Sequence, residues 1–329
     1  MSSEELINLI ENDKIILLNK SHFNTEFSDK EMLRLKCALI TNVSIEVVEL
    51  ESAEMNEDIW QLLGESLAFN SSVKTFRVSN TNVGEHITAL EDIITFSTSI
   101  EQLIISDHTS GNDIITSVGH ALLKNIKIKE LVLTNNNLKE SGINFITEII
   151  KLNTAIVDIN LSHQKLSNKY LKDLSDVIQK NKTLTSLSLN NNQLDYSSLK
   201  CLTDALVENT SLTTLNLTHN SLNHVSASGI ADLLIASHVL ENINLNNNQL
   251  DPYFAAAIGK TFDLNSQIKS LDFSNNELLD LGVTMIARYV EKLGILDTLN
   301  LADNNTTDLG IHMVNESLKS FGEPENFNI

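Results

Sequence analysis

Apolar residues recur in a fixed arrangement along most of this chain, and the arrangement is clearest in residues 184–194. This segment reads L-x-x-L-x-L-x-x-N-x-L, in which Leu187 and Leu189 alternate with serines. The alternation predicts a short strand that turns its leucines toward a core and its serines outward. Asn192 follows where the chain must turn, and a short amide can hydrogen-bond the backbone groups that a tight turn leaves unpaired.

Ten copies of this pattern follow one another. They begin at Ile45, Val73, Ile100, Ile128, Ile156, Leu184, Leu212, Leu240, Ile268 and Leu296. The interval is 28 residues, except for the 27 residues from Val73 to Ile100. The turn position holds Ala53, Thr81, His108, Asn136, Gln164, Asn192, Asn220, Asn248, Asn276 and Asn304. The first three copies lack an asparagine-like residue there, which predicts looser turns.

Each copy continues into an apolar pattern with helical spacing, as Leu199, Leu202 and Leu206 show. A strand joined to a helix at a constant period stacks strands in parallel on one side and helices on the other. We therefore predict an α/β fold: a right-handed, horseshoe-shaped solenoid of about ten 28-residue repeats, with a concave parallel sheet and helices on the convex side. Adjacent parallel strands are predicted at residues 186–190, 214–218 and 242–246.

The N-terminal segment is predicted to form a cap on a degenerate repeat. Two serines stand three residues before a glutamate, the spacing of a capping box, so helices are expected to begin near residues 3 and 29. These pairs are Ser2 with Glu5 and Ser28 with Glu31. Lys20 and His22 fall at the strand core positions of the degenerate copy. The predicted organisation is a cap at 1–44, ten repeats at 45–321 and a tail at 322–329.

The chain is strongly acidic, with 43 acidic and 23 basic residues and a formal charge of −20. This charge repels phosphate backbones, so we expect no binding of nucleic acid and a partner with a basic patch. A solvated acidic surface that keeps an elongated monomer soluble is the alternative. The N-terminal residues lack the features of a secretory signal, and no stretch reaches transmembrane length, so no membrane insertion is expected.

Residues with chemical potential are few. Cys37 and Cys201 lie in apolar helical segments and are expected to be buried, reduced thiols. Asn181 and Asn209 open N-x-S/T matches that recur with the repeat, so we interpret them as turn residues rather than glycosylation sites. His163 and His219 stand two repeats apart, about 10 Å between their strands, which is too far for shared metal ligation. We predict no enzyme activity, no metal and no cofactor.

The 28-residue unit with N-x-L and a full helix resembles the leucine-rich repeats of the ribonuclease inhibitor and Ran GTPase-activating protein type, over roughly residues 17 to 321. The resemblance implies protein binding. Ribonuclease inhibitors are richer in cysteine and in interface tryptophan, and Ran activators carry an acidic tail that this chain lacks.

The use of asparagine, isoleucine and lysine, with only two prolines, is also similar to leucine-rich-repeat effectors of Legionella-type intracellular bacteria. Their type IV export signal is C-terminal, with glutamates and an apolar residue near the end. Here Glu316, Glu323 and Glu325 precede Phe327.

Two groups of residues are candidates for partner binding. Glu49 and Glu51 belong to an acidic cluster in residues 46 to 65, within a window, residues 37 to 73, that contains no lysine or arginine, and Arg77 follows on the next predicted strand. Tyr170, Tyr196 and Tyr253 fall in strand-to-helix connections, where packing against the next helix is the alternative. The middle of the predicted concave face is small and polar, so it is either a weak binding surface or a solvated sheet.

The sequence thus predicts a non-enzymatic protein-interaction module, interpreted as a translocated effector that acts in the host cytosol. An intracellular eukaryotic scaffold or regulator, in the cytoplasm, is one alternative. A GTPase-activating protein of the Ran-activator type is another.

Overall fold

A computed structural model describes residues 1–52, 55–81, 83–264, 267–293, 296–319 and 327–328. The chain forms two compact units, Met1–Asn160 (the first unit) and Leu161–Ile329 (the second unit).

Strands and helices alternate along the first unit. Its strands are β1 Leu17–Asn19, β2 Val47–Glu51, β3 Thr75–Ser79, β4 Gln102–Ser106, β5 Glu130–Val132 and β6 Asp158–Asn160. Its helices are α1 Ser3–Glu11, α2 Asp29–Thr41, α3 Glu57–Leu67, α4 Ile87–Phe96, α5 Gly111–Lys124 and α6 Glu140–Leu152. The strands pair in parallel and in chain order.

The second unit has the same alternation. Its strands are β7 Ser186–Ser188, β8 Thr214–Asn216, β9 Asn242–Asn244, β10 Ser270–Asp272, β11 Thr298–Asn300 and β12 Phe327–Asn328. Its helices are α7 Asn168–Ile178, α8 Tyr196–Glu208, α9 Ala227–Ala236, α10 Pro252–Gly259, α11 Leu279–Leu293 and α12 Asp308–Leu318. These strands are also parallel and in chain order.

The predicted repeat fold is confirmed by the register of β7, β8 and β9. Leu187 lies beside Leu215, and Leu215 lies beside Ile243. All three are buried, as are Leu199 and Leu202 on the inner face of α8. Removing a side chain of this size from water stabilises the fold by about 1.5–3 kcal/mol. The aliphatic core therefore lies between strands and helices, as the two apolar periodicities predict.

The two predicted helix starts near the N-terminus are also confirmed. Ser2 caps α1, and Ser28 and Glu31 form a capping box at α2. Hydrogen bonds from Ser28 and then Ser3 lower the pKa of Glu31 to about 2.

The register at β1 corrects the sequence assignment of Lys20 and His22. Leu18 pairs with Val48 and is fully buried, so Leu18 occupies the strand core position. The interval here is two residues longer than the repeat, which moves Lys20 and His22 out of the strand into a 3₁₀ turn.

Cys37 corrects a second expectation, because its side chain is exposed. The buried face of α2 consists of Leu35, Ala38 and Leu39, and Cys37 falls outside that face. Cys201 is half-buried.

The turn asparagines form a hydrogen-bonded ladder in the second unit. Asn220 Nδ2 donates to the carbonyl oxygens of Leu189 at 3.1 Å and Leu217 at 2.9 Å. Its Oδ1 accepts the backbone N–H groups of Asn192 and Leu194, each at 3.0 Å. The corresponding donor bonds are made by Asn248, Asn276 and Asn304. One amide therefore satisfies buried backbone groups in two neighbouring repeats.

Other residues make the same turn bond in the first unit, so the expectation that these turns lack a bonded residue is wrong for two of the three. Thr81 Oγ1 donates to the carbonyl of Leu50 at 2.7 Å, and His108 Nε2 donates to that of Val78 at 3.1 Å. Burial lowers the pKa of His108, which favours the neutral ring. Ala53, the third residue, lies outside the described part of the chain.

A second asparagine ladder, which the sequence reading missed, runs along the helix ends. Asn209 Nδ2 donates to the carbonyls of Ile178 at 2.7 Å and Asn181 at 3.0 Å, while its Oδ1 accepts the N–H groups of Ser211 and Leu212. Similar bonds are made by Asn42, Asn70, Asn125 and Asn153. The interpretation of Asn209 as a turn residue is confirmed, because its amide is buried and fully engaged.

Candidate functional site

The open face of the second unit's sheet is made of small polar side chains. Its positions are Ser186, Ser188, Thr214, Asn216, Asn242, Asn244, Ser270, Asp272, Thr298 and Asn300. Neighbours bond one another: Thr298 Oγ1 donates to Ser270 Oγ at 2.6 Å, and Asn242 Nδ2 donates to Thr214 Oγ1 at 3.1 Å. Because these positions hold no tryptophan, tyrosine or arginine, they offer no residue of the kinds that dominate binding energy.

On the first unit's sheet, the structure brings two of the predicted binding residues together. Arg77 on β3 pairs with Glu49 on β2 at 2.9 Å, and both remain partly exposed. A surface pair of this kind contributes at most about 1 kcal/mol to stability, and it offsets the charge of Glu49. Glu51, at the end of β2, is exposed.

The acidic cluster in residues 46 to 65 is partly occupied by local contacts. Lys36 donates to Glu65 at 2.6 Å and lowers the pKa of that carboxyl. Glu57 and Asp58 lie in the first turn of α3, where negative charge stabilises a helix. Glu54 lies outside the described residues.

The three predicted tyrosines differ in exposure. Tyr170 is half-buried in the first turn of α7, and Lys169 Nζ lies 6.0 Å from the centre of its ring. Tyr196 begins α8 and Tyr253 is the second residue of α10, and both are exposed. The ring of Tyr253 meets that of His224 edge-on, with 6.2 Å between centroids. Only Tyr196 and Tyr253 are therefore accessible as partner anchors.

Tyr253 belongs to a row of exposed apolar side chains where the helices of the second unit begin, which we name the helix-start stripe. Its members are Val225, Tyr253, Leu281 and Leu309, with exposed fractions of 48%, 76%, 62% and 65%. They stand 28 residues apart in four consecutive repeats. Earlier repeats hold Ser197 and Lys169 at this exposed position. The fold therefore does not require an apolar residue there.

Acidic residues flank the helix-start stripe. Asp251 lies 3.1 Å from His224 Nδ1, and Asp280 accepts hydrogen bonds from the Thr307 hydroxyl and backbone N–H, which lower its pKa. Glu277, Asp303 and Asp308 are exposed on the same connections. The sequence has no lysine or arginine in residues 245–259, 273–287 or 301–318. The stripe thus presents apolar side chains in negative surroundings.

Three of the four stripe residues, Val225, Leu281 and Leu309, escaped the sequence reading. Each stands close to the apolar core positions of its helix, so it merges with the amphipathic pattern. The signal that could have found them is the comparison of one position across repeats, since a structurally required residue would be apolar in all of them.

The histidines noted in the sequence have a backbone role. His163 and His219 have φ values of 61° and 53°, in the left-handed region that asparagine, aspartate and histidine tolerate better than most residues. His163 Nδ1 accepts from Asn191 Nδ2 at 2.8 Å. In the described ranges, no group of three or more His, Cys, Asp or Glu residues could hold a metal ion. No helix described here is long and apolar enough to cross a membrane.

Comparisons with known proteins support the repeat fold. A family model described as Leucine Rich Repeat matches residues 211–233, which contain β8 and the start of α9. A chain of the complex of Rad7 and Elc1 in yeast is similar to this one, with 15% identity, a TM-score of 0.57, and coverage of 93% of this chain and 75% of that chain. A search of the curated proteins finds no match.

Two further solved structures are similar at lower TM-scores. LegL7, a leucine-rich repeat-containing protein from Legionella pneumophila, has 16% identity and a TM-score of 0.49, with 89% of this chain and 86% of that chain covered. The tropomodulin C-terminal domain of Caenorhabditis elegans has 15% identity and a TM-score of 0.35, with 54% and 91% covered. The repeated pattern, the parallel strands joined to helices and the matching family model identify the chain as a leucine-rich-repeat protein.

Proposed function

We propose that this chain is a non-enzymatic protein-binding module that holds its partner against the helix-start stripe. The stripe is the observation that carries the proposal, because four apolar side chains are exposed at one position of consecutive repeats while other repeats place polar residues there. Repeat solenoids bind partners over extended surfaces of neighbouring repeats, and an exposed apolar row marks such a surface.

The chemistry of the stripe defines the partner. Tyr253 and Leu281 offer contact area that a complex would remove from water, at about 25 cal/mol per Å² of apolar surface. The acidic flank formed by Glu277, Asp303 and Asp308 complements lysine or arginine. The partner is therefore a protein surface with apolar anchors and a basic rim.

Capture from a host-cell lysate tests this proposal. The double variant Tyr253→Ser/Leu281→Ser is compared with the wild type and with Leu33→Ser, whose position in α2 is also exposed. We expect a protein that the wild type and Leu33→Ser retain and that the stripe variant loses. A retained set that is identical for all three proteins rejects the stripe as the binding surface.

The setting we propose is that of a bacterial effector translocated into the host cytosol. Residue usage supports it, together with the glutamates that precede Phe327. Glu316 pairs with Lys319, and Phe327 lies in β12 beside Leu299, whereas Glu323 and Glu325 fall outside the described residues.

A reporter fused to the segment from Glu316 onward tests the export signal. We expect translocation through a type IV secretion system, with a loss when Phe327 is replaced by serine. A full-length chain that stays in the producing cell contradicts the effector setting while leaving the binding proposal in place.

A further inference from the structure

A second row of exposed apolar side chains lies in the first unit, where the helices end. We name it the helix-end stripe. It consists of Val43, Phe69, Phe96, Ile126 and Leu152, with exposed fractions of 67%, 70%, 56%, 73% and 55%. Each stands directly before or after a helix-end residue that is buried, namely Asn42, Asn70, Ser97, Asn125 or Asn153. The helix ends of α2 to α6 thus each carry one large apolar side chain in water.

The fold does not require these apolar residues. The corresponding positions beside the ladder asparagines of the second unit are polar: Lys180, Lys182, Glu208 and Thr210. The buried bonds are made by the ladder residues themselves, as Asn153 Nδ2 shows with the carbonyls of Leu122 and Asn125. The apolar neighbours therefore add no support to the turn.

Lysines gather around the helix-end stripe, although the chain as a whole is acidic. Lys124 and Lys127 flank Ile126, and Lys151 precedes Leu152. All three are exposed, and none of them forms an ion pair with another described residue. Lys129 and Lys74 share Glu101, at 2.6 Å and 3.5 Å.

The remaining acidic groups near this edge are few. Glu46 and Glu148 are exposed close to the helix ends, so five lysines stand against three glutamates here. The acidic starts of the helices are far away, because a 14-residue helix such as α5 is about 21 Å long. That length is more than twice the Debye length of about 8 Å at physiological salt, so their repulsion is largely screened.

We propose that the helix-end stripe binds the surface of an anionic lipid bilayer. Phenylalanine, isoleucine and leucine side chains enter the boundary between headgroups and acyl chains, while flanking lysines reach the anionic headgroups. More than half of each stripe side chain is exposed, so these residues project from the helix ends rather than line a cleft. Projecting side chains suit a soft planar surface, whereas a partner helix is received by a groove.

Vesicle flotation of the full-length chain tests this assignment. The vesicles contain phosphatidylcholine and phosphatidylserine in equal parts, or phosphatidylcholine alone. We expect binding that depends on phosphatidylserine and weakens with salt. Each lysine near an anionic surface contributes about a fivefold gain in partitioning, so Lys124→Glu/Lys127→Glu is expected to lower it by roughly thirtyfold.

Apolar variants separate insertion from charge. Phe69→Ser/Phe96→Ser is expected to lower partitioning by about tenfold or more, whereas Leu33→Ser, an exposed leucine near the start of α2, leaves it unchanged. Because all of these side chains are exposed, the melting midpoints of the variants should match the wild type. Absence of phosphatidylserine-dependent binding, or full binding by either double variant, overturns the proposal and leaves the stripe to an acidic protein partner. Tyr253→Ser/Leu281→Ser should bind vesicles normally, so a failed helix-start stripe and a failed helix-end stripe are distinguishable.

Discussion

Replacement of Asn220 by alanine should lower the free energy of unfolding by about 3 kcal/mol or more, whereas Asn216→Ala should cost less than about 1 kcal/mol. Asn220 donates to the carbonyls of Leu189 and Leu217 and accepts from the N–H groups of Asn192 and Leu194. Alanine leaves these buried groups unpaired, and each costs about 1–3 kcal/mol when water cannot replace the bond.

Asn216 is the matched control because it has the same side chain in a half-buried position on β8. Its Oδ1 accepts from the backbone N–H of Thr218 at 3.0 Å and from the Thr218 hydroxyl at 2.6 Å. Water reaches these groups after truncation and restores most of the bonding.

Denaturant unfolding followed by circular dichroism measures the difference. Asn220→Asp adds a second test: it keeps the accepting oxygen but removes the donated bonds, so it should fall nearer to Asn220→Ala than to the wild type. Equal midpoints for Asn220→Ala and Asn216→Ala would contradict the assigned register.

The repeat fold could be predicted because periodicity averages over many copies. A leucine such as Leu187 is weak evidence alone, yet its recurrence as Leu215 and Ile243 fixes both strand and register. The same averaging fails where one copy deviates. A two-residue insertion before β2 shifted Leu18 out of the expected position, and a fixed period assigned Lys20 to the core instead.

Residue type misled the reading where several side chains can make one bond. Thr81 and His108 donate to the same class of carbonyl as the ladder asparagines, a substitution that hydrogen-bond geometry reveals and composition does not. Cys37 misled it because hydrophobicity was read without helical phase: Ala38 and Leu39 define the buried face of α2, and Cys37 lies off it.

Surface residues were the hardest to predict. Tyr196 and Tyr253 were found because tyrosine is a common anchor, whereas Leu281 and Phe69 resemble core residues until their exposure is known. Burial depends on which side of the ladder a residue stands, and a shift of one position decides it.

Once a partner is captured, the helix-start stripe and the acidic cluster should affect different steps of binding. Glu51→Lys together with Glu49→Lys should slow association and reduce its salt dependence, because charge acts on the encounter through the field of the molecule. Glu51→Lys alone is the cleaner variant, since Glu49 already pairs with Arg77. Circular dichroism should show that both variants keep the fold.

Tyr253→Ser/Leu281→Ser should act on dissociation instead, with a rate about a hundredfold faster if each side chain is an anchor worth tenfold or more. Buried apolar contacts form late and hold the complex, so their loss leaves the encounter rate nearly unchanged. Tyr170→Ser serves as the control, because Tyr170 is half-buried and lies outside the stripe. Surface-bound partner, measured at two salt concentrations, gives both rates. If the charge reversals leave association unchanged and the stripe variant leaves dissociation unchanged, the partner binds neither surface, and the helical side of the repeats becomes the place to search.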